Sequence, residues 1–276
     1  MVCTRQGDLD GDSRVEWLLL YMESVQAGIQ EEKAMVVAPK EPGVKTYGLH
    51  RADNKELGEY ELCDVTIGDF NKDGKTEIAI SGGAGAHYSI LSIFQWNGSL
   101  YASIGTFGGD AGASLRDVDG DGVSEVIEAG RFYDRAQLFA SLVYSWQQGK
   151  YVEYYRSMGF AFGQPDPITY PEEAALAFYL LLDKRSYPDA YRLLSQSYKA
   201  TVSLDKFVSG FANTEKIAVE ELEVSGEEPS TARVAVKLAA FERQDGKKIL
   251  QRYGGTWQLV KEGGDWQLNQ SDIKRL

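Results

Sequence analysis

Residues 116–130 read RDVDGDGVSEVIEAG, with Asp117, Asp119 and Asp121 on alternate positions, Gly122 after them and Glu125 closing the run. Carboxylates crowded this closely repel one another, and a fold gains nothing by gathering them unless positive charge sits among them. A hard cation meets that need. Calcium takes about six to eight oxygen ligands, and a tight loop can supply them from alternate side chains, a main-chain carbonyl and a later acid. Here those are Asp117, Asp119, Asp121, the carbonyl of Val123, and Glu125. Gly122 suits the sharp turn, because glycine reaches positive φ without steric cost. An EF-hand would close on Glu128 instead and continue as a long helix. VSEVIEAG alternates like a strand and soon meets a glycine, which excludes that helix.

The pattern returns twice. GDFNKDGKTEIAISGG, from Gly68, offers Asp69, Asn71, Asp73, the carbonyl of Lys75, and Glu77; GDLDGDSRVEWLLLY, from Gly7, offers Asp8, Asp10, Asp12, the carbonyl of Arg14, and Glu16. Where the third copy has Glu128, these have Ile80 and Leu19, so the shared closing acid is the earlier one. The repeated unit is a short cation loop running into an apolar strand. Ser13 takes the place of the turn glycine in the first copy, so that site is expected to be the weakest. Asp, Asn and Gly also dominate turns that bind no metal. Three copies in register, each followed by an apolar run, favour the cation.

The loops start at 8, 69 and 117, a spacing that signals stacked repeats of the size of propeller blades. SILSIFQWNGSLYASIG and ASLVYSWQQGKYVEYY each read as strand, turn (at Gly98 or Gly149) and strand, and YGLHRADNKELGEYEL reads as a looser version. Each repeat then supplies a loop and about four strands. On these motifs, DFNKDGKTE and DVDGDGVSE above all, residues 1–162 resemble the FG-GAP or VCBS repeat family. The resemblance implies calcium loops joining the blades of an integrin-type β-propeller. Propellers have about four to eight blades. Three blades imply a fragment, an open arc, or self-association that completes a ring.

GFAFGQPDPITYPEE, with Pro165, Pro167 and Pro171, marks a boundary. Beyond it, PEEAALAFYLLLDKRS and YPDAYRLLSQSY read as helices, and a third is expected after Ser203 as N-cap. Four strand-like stretches follow: KIAVEELEVSG, TARVAVKLAAFER, KILQRYGGTWQLVKEG and DWQLNQSDIKRL. Residues 168–276 in this order resemble the nuclear transport factor 2-like (SnoaL-like, cystatin-like) superfamily. The fold class expected for the whole chain is therefore mainly β plus α+β: about three propeller-like blades with calcium loops, then a cone of helices on an antiparallel sheet.

The 276 residues carry a net charge of −12, concentrated in the first part: residues 1–160 hold 24 acidic and 14 basic side chains, residues 161–276 hold 17 and 15. An acidic surface argues against nucleic acid and anionic membranes, which attract basic patches. No apolar run reaches membrane-spanning length and no signal peptide follows Met1. The first loop begins so early that little room remains for a strand before it, and the chain is expected to start partway into a longer natural sequence. Cys3 and Cys63 precede two loops at nearly equivalent places. They fit a disulfide in an oxidising compartment, two unpaired thiols, or a lipid-modified Cys3.

Catalysis usually leaves a histidine, an activated nucleophile or converging carboxylates. His50 and His87 belong to no recognisable pair, and SGGAGAHYS lacks the lysine and the strand-to-helix context of a phosphate loop. In the second part Asp183, Asp189, Tyr179 and Tyr191 are candidates for a cavity, although their pattern suits core and solvated positions better. The 16 tyrosines and 5 tryptophans could form a glycan or peptide platform, but packing between blades is the stronger expectation. The functional expectation is a non-enzymatic, calcium-binding extracellular or cell-envelope protein acting in adhesion or in binding a protein or glycan. The alternative is a small-molecule carrier or enzyme using a cavity of the second part. A calcium sensor is disfavoured because sensors work through moving helices.

Overall fold

The alternating apolar residues of Glu16–Gln26 and Ile29–Lys40 pair as neighbouring antiparallel strands, burying Leu18, Leu20, Ala34, Val36 and Ala38 on one face. The computed structural model describes residues 3–131 and 135–276, with side chains at all of these except 60–62. It is mainly β, with four antiparallel sheets, none closed into a barrel among the described residues. Contacts divide the chain into two compact units, residues 1–130 with 142–154, and residues 131–141 with 155–276.

Three sheets have the same up-and-down order. The first runs β1 (Cys3–Gly7), β2 (Glu16–Gln26), β3 (Ile29–Lys40), β4 (Gly43–Leu49). The second runs β5 (Tyr60–Gly68), β6 (Glu77–Ala84), β7 (Tyr88–Trp96), β8 (Tyr101–Gly109). The third runs β9 (Gly112–Arg116), β10 (Glu125–Arg131), β11 (Leu138–Gln147), β12 (Lys150–Phe160). An acidic loop joins the first two strands of each. A strand does precede the first loop, five residues long, because β1 needs only enough length to pair Cys3–Gly7 with Glu16–Leu20. YGLHRADNKELGEYEL is not a hairpin: it contains the end of β4, a connection and the start of β5, and the first sheet's last turn lies earlier, at Glu41–Pro42. Arg51 fixes that connection by bonding the Glu56 carbonyl and Asp53.

Aromatic residues pack between sheets of the first unit. Tyr47 of β4, Trp96 of β7 and Tyr101 of β8 meet edge-on or tilted, and Phe107 of β8 meets Tyr144 and Tyr151 of β11 and β12. Cys3 and Cys63 form a disulfide with a Cα separation of 5.7 Å, tying β1 to β5. Closing a loop of this length removes unfolded-state freedom worth about 4 kcal/mol in the chain-entropy account.

The second unit lays helices against the sheet β13 (Thr214–Glu227), β14 (Thr231–Gln244), β15 (Lys247–Glu262), β16 (Asp265–Ser271), with β17 (Lys274–Arg275) also on β15. Helix α1 (Pro171–Asp183) opens with proline and a capping box in which Glu173 accepts from the Thr169 and Tyr170 N–H groups. YPDAYRLLSQSY gives two short helices, α2 (Tyr187–Arg192) and α3 (Gln196–Lys199). Ser195 interrupts the pattern by capping the second, and the Leu193–Ser195 backbone pairs instead with Leu268. Helix α4 (Leu204–Ser209) starts at Ser203, whose Oγ accepts from Lys206 N.

SGGAGAHYS spans the end of β6, the hairpin turn and the start of β7, and it also makes a close backbone contact. A Cβ on Gly82 would stand 2.0 Å from the Leu57 carbonyl oxygen and 3.0 Å from Gly58 Cα, and backbone cannot swing aside as a side chain can. Gly82→Ala is expected to cost about 1–3 kcal/mol of stability, read as a lowered denaturation midpoint at unchanged m-value. A neutral substitution would show that this contact is not tight.

Candidate metal centres

The three acidic loops share one hydrogen-bond pattern. The first aspartate clamps the far side of the turn: Asp8 accepts from Gly11 and Ser13 N, Asp69 from Asp73 and Gly74 N, and Asp117 from Gly120 and Gly122 N. The next side chain of the alternation accepts from the residue two further on, Asp10 from Asp12, Asn71 from Asp73 and Asp119 from Asp121. The third does the same, Asp12 from Arg14, Asp73 from Lys75 and Asp121 from Val123. These are Asx turns in series, and they need two residues at positive φ per loop. Ser13 (65°), Gly74 (82°) and Gly122 (80°) occupy one place, and Gly11 (79°), Lys72 (57°) and Gly120 (77°) the other. The sequence pointed to the first of these places and missed the second, where Lys72 hides the glycine signal.

The closing glutamate is the most constrained group. Glu16, Glu77 and Glu125 start β2, β6 and β10 and are 0%, 0% and 2% exposed. Each reaches back to accept from an N–H in its own loop, at Leu9 (2.8 Å), Phe70 (2.8 Å) and Val118 (2.9 Å). Oxygens of Asp8, Asp10 and Glu16 lie within 4.8 Å of one another, as do those of Asp69, Asp73 and Glu77, and those of Asp117, Asp119 and Glu125. These acidic triads, each closed by one buried glutamate, could hold a metal ion.

Two observations fit a cation. Glu16 Oε1 is inaccessible and has no hydrogen-bond partner, and such a carboxylate oxygen is costly unless something positive meets it. The buried hydroxyls of Tyr101 and Tyr151 are also unpartnered. Burial pushes both phenols far up, and the charges of Asp10, Glu16 and Asp12 act on Tyr101 while those of Glu77 and Glu125 act on Tyr151. The loops are also linked: Thr76 Oγ1 donates to the Asp8 carbonyl, Ser124 N to the Phe70 carbonyl, and Lys72 Nζ to the Asp121 carbonyl. Glu128 lies on β10 opposite Ala113 and accepts from the Tyr144 hydroxyl, away from its loop's triad.

The second unit holds a cavity of about 430 Å³ walled by Phe178, Tyr179, Tyr198, Phe207, Phe211 and Trp257 among others. Its polar lining includes Glu242, which accepts from the Tyr253 hydroxyl at 2.7 Å, together with Lys206, Thr214 and Ser271. Burial, then the bond to Glu242, pushes the Tyr253 phenol up to about 12. Of the four residues singled out by sequence, Tyr179 lines this cavity and accepts from Trp257 Nε1 (2.8 Å). The other three are bonded into the fold: Asp183 caps the Ile217 N–H, Asp189 bonds Ser186 and Arg192, and Tyr191 donates to the Val202 carbonyl. Nothing in spacing could reveal Glu242 and Tyr253, which strand pairing brings together. His50 and His87 are both exposed. No protein-family model matches the chain, and no curated protein matches its sequence.

Desolvation holds the carboxyls of Glu16, Glu77 and Glu125 above the ordinary glutamate range, against the lowering effect of their N–H partners. A carboxyl raised on folding adds stability below its unfolded value, and that contribution is lost as pH rises through the folded value. At neutral pH the metal-free chain therefore carries a cost that a cation offsets and that protonation also removes. The rise in melting midpoint produced by divalent metal is expected to shrink as pH falls from neutrality into the range where these raised carboxyls take up protons. A metal-induced rise that stayed constant down to acid unfolding would contradict coordination by these glutamates.

Proposed function

We propose that this chain is a calcium-braced β-repeat protein of the FG-GAP or VCBS type, its three sheets acting as propeller-like blades. It works without catalysis, outside the cell or in the cell envelope, in adhesion or in binding a protein or glycan. The observation that carries the reading is the threefold recurrence of one loop geometry ending in a fully buried glutamate. Calcium is favoured over magnesium because these loops offer many oxygens from flexible side chains and carbonyls, whereas magnesium keeps a strict octahedron and several waters. The ligands would be the alternating acids and Asn71, the carbonyls of Arg14, Lys75 and Val123, and the closing glutamates. Bound metal would neutralise the buried acids and tie the start of one strand to the loop before it. The Cys3–Cys63 disulfide supports an oxidising compartment.

The test is a thermal melt of the full chain in millimolar calcium, in magnesium and in excess chelator. At about 100 times its dissociation constant each calcium adds about 2.7 kcal/mol, so calcium is expected to raise the midpoint well above the chelated value. Asp73→Ala and Asp121→Ala should each remove part of that rise. Midpoints that are identical in all three conditions sink the proposal.

A second reading is supported by the cavity of the second unit, which would sit inside a cone of the nuclear transport factor 2-like kind. Aromatic walls with one carboxylate–phenol pair suit a small, mostly apolar ligand carrying a hydrogen-bond donor. Titration with phenol or naphthol is expected to raise the melting midpoint, and Glu242→Gln to weaken the effect. The absence of any shift at saturating probe would remove this reading.

A further inference from the structure

We propose that Lys40 is a built-in counter-ion of the first loop, and that divalent metal enters this loop last, by displacing the lysine ammonium. This rests on the metal reading of the three loops and adds an order of filling to it.

Lys40 ends β3 and returns its side chain to the first loop, where Nζ donates to Asp10 Oδ2 at 2.7 Å and to Asp12 Oδ2. These are two of the loop's alternating acids. The Asp10 side chain is only 3% exposed, so the lysine meets a nearly buried carboxylate and does more than decorate a surface. An ammonium is a compact point charge with three donors, able to satisfy two carboxylates at once. It leaves the loop incomplete, however. Glu16 Oε1 remains buried without a hydrogen-bond partner, although oxygens of Asp8, Asp10 and Glu16 already lie within 4.8 Å of one another. The pocket is shaped for a cation with more charge and more contacts than one lysine supplies.

The other loops are held differently. In the second, the neutral amide of Gln95 donates to Asp73 Oδ2 (2.8 Å) and Glu77 Oε1 (2.6 Å). The lysine that reaches the third, Lys72, bonds the main-chain carbonyl of Asp121. A metal entering the first loop must break two charge-assisted bonds to a cation, whereas in the second it displaces only an amide. Backbone strain does not separate the first two loops, since Ser13 stands at a φ of 65° and Lys72 at 57°; the lysine contact does. The first loop therefore keeps its shape at metal concentrations that leave the other two unbraced.

The experiment is a calorimetric titration of the full chain with calcium chloride, for the wild type, Lys40→Met and Lys40→Gln. Expected for the wild type are two sites plus a third at least about tenfold weaker. In both variants the third site should tighten to join the others, and the chelated variant should melt below the chelated wild type and recover in calcium. Three equivalent sites in the wild type, or a third site unmoved in the variants, overturns the inference while leaving the metal reading intact. Absence of binding in all three proteins overturns both. If neither variant folds, the wild-type titration alone decides between three equal sites and two plus a weaker one.

Discussion

A carboxylate taken out of water at the mouth of each acidic loop is the constraint on which the first unit is organised. Glu16, Glu77 and Glu125 each begin a strand and bond backward to the loop that precedes it, so one side chain fixes both the loop's shape and the strand's starting register. That arrangement is costly by itself, because burial favours the neutral acid. Further polar groups gather beside each glutamate: N–H groups in series on the neighbouring aspartates, Lys40 on Asp10 and Asp12 in one loop, and Gln95 on both Asp73 and Glu77 in another. A cation is a further partner that these groups could hold.

The apolar parts depend on this geometry. Leu18 and Leu20 follow Glu16 along β2 and alternate with more exposed neighbours, so a slip of one residue would turn them outward, whereas Ile78 and Ile80 follow Glu77 on a strand buried on both faces, where a slip would exchange them with Ala79 between two packed faces. The disulfide and the Tyr47–Trp96–Tyr101 cluster then join the first sheet to the second, and the Gly82 contact with Leu57 brings backbone against backbone. None of these contacts tolerates a change of register.

The second unit is stabilised by ordinary packing of α1 on a long antiparallel sheet, with Trp257, Trp266 and Phe178 in its core. Its polar residues are mostly committed to the fold. Arg135 bonds Glu172 and Glu227 and lies over Tyr170, and Ser195 and Ser197 share Asn269. The Glu242–Tyr253 pair instead lies in the wall of the mostly apolar cavity.

Sequence by itself determined the acidic loops, the acids that each brings together and the strand that follows each, because these rest on spacing within about a dozen residues and on the fixed periods of turn and strand. It also determined the helix starts at Pro171, the first residue of α1, and after the N-cap Ser203, which are local chemistry. Only the tertiary structure decided how the first sheet ends, that Cys3 meets Cys63, and that Lys40 rather than a nearer residue enters the first loop. It likewise decided that Glu242 meets Tyr253. Each of these joins residues whose meeting depends on strand register and sheet twist, which build up over many residues and leave no spacing signal in the chain.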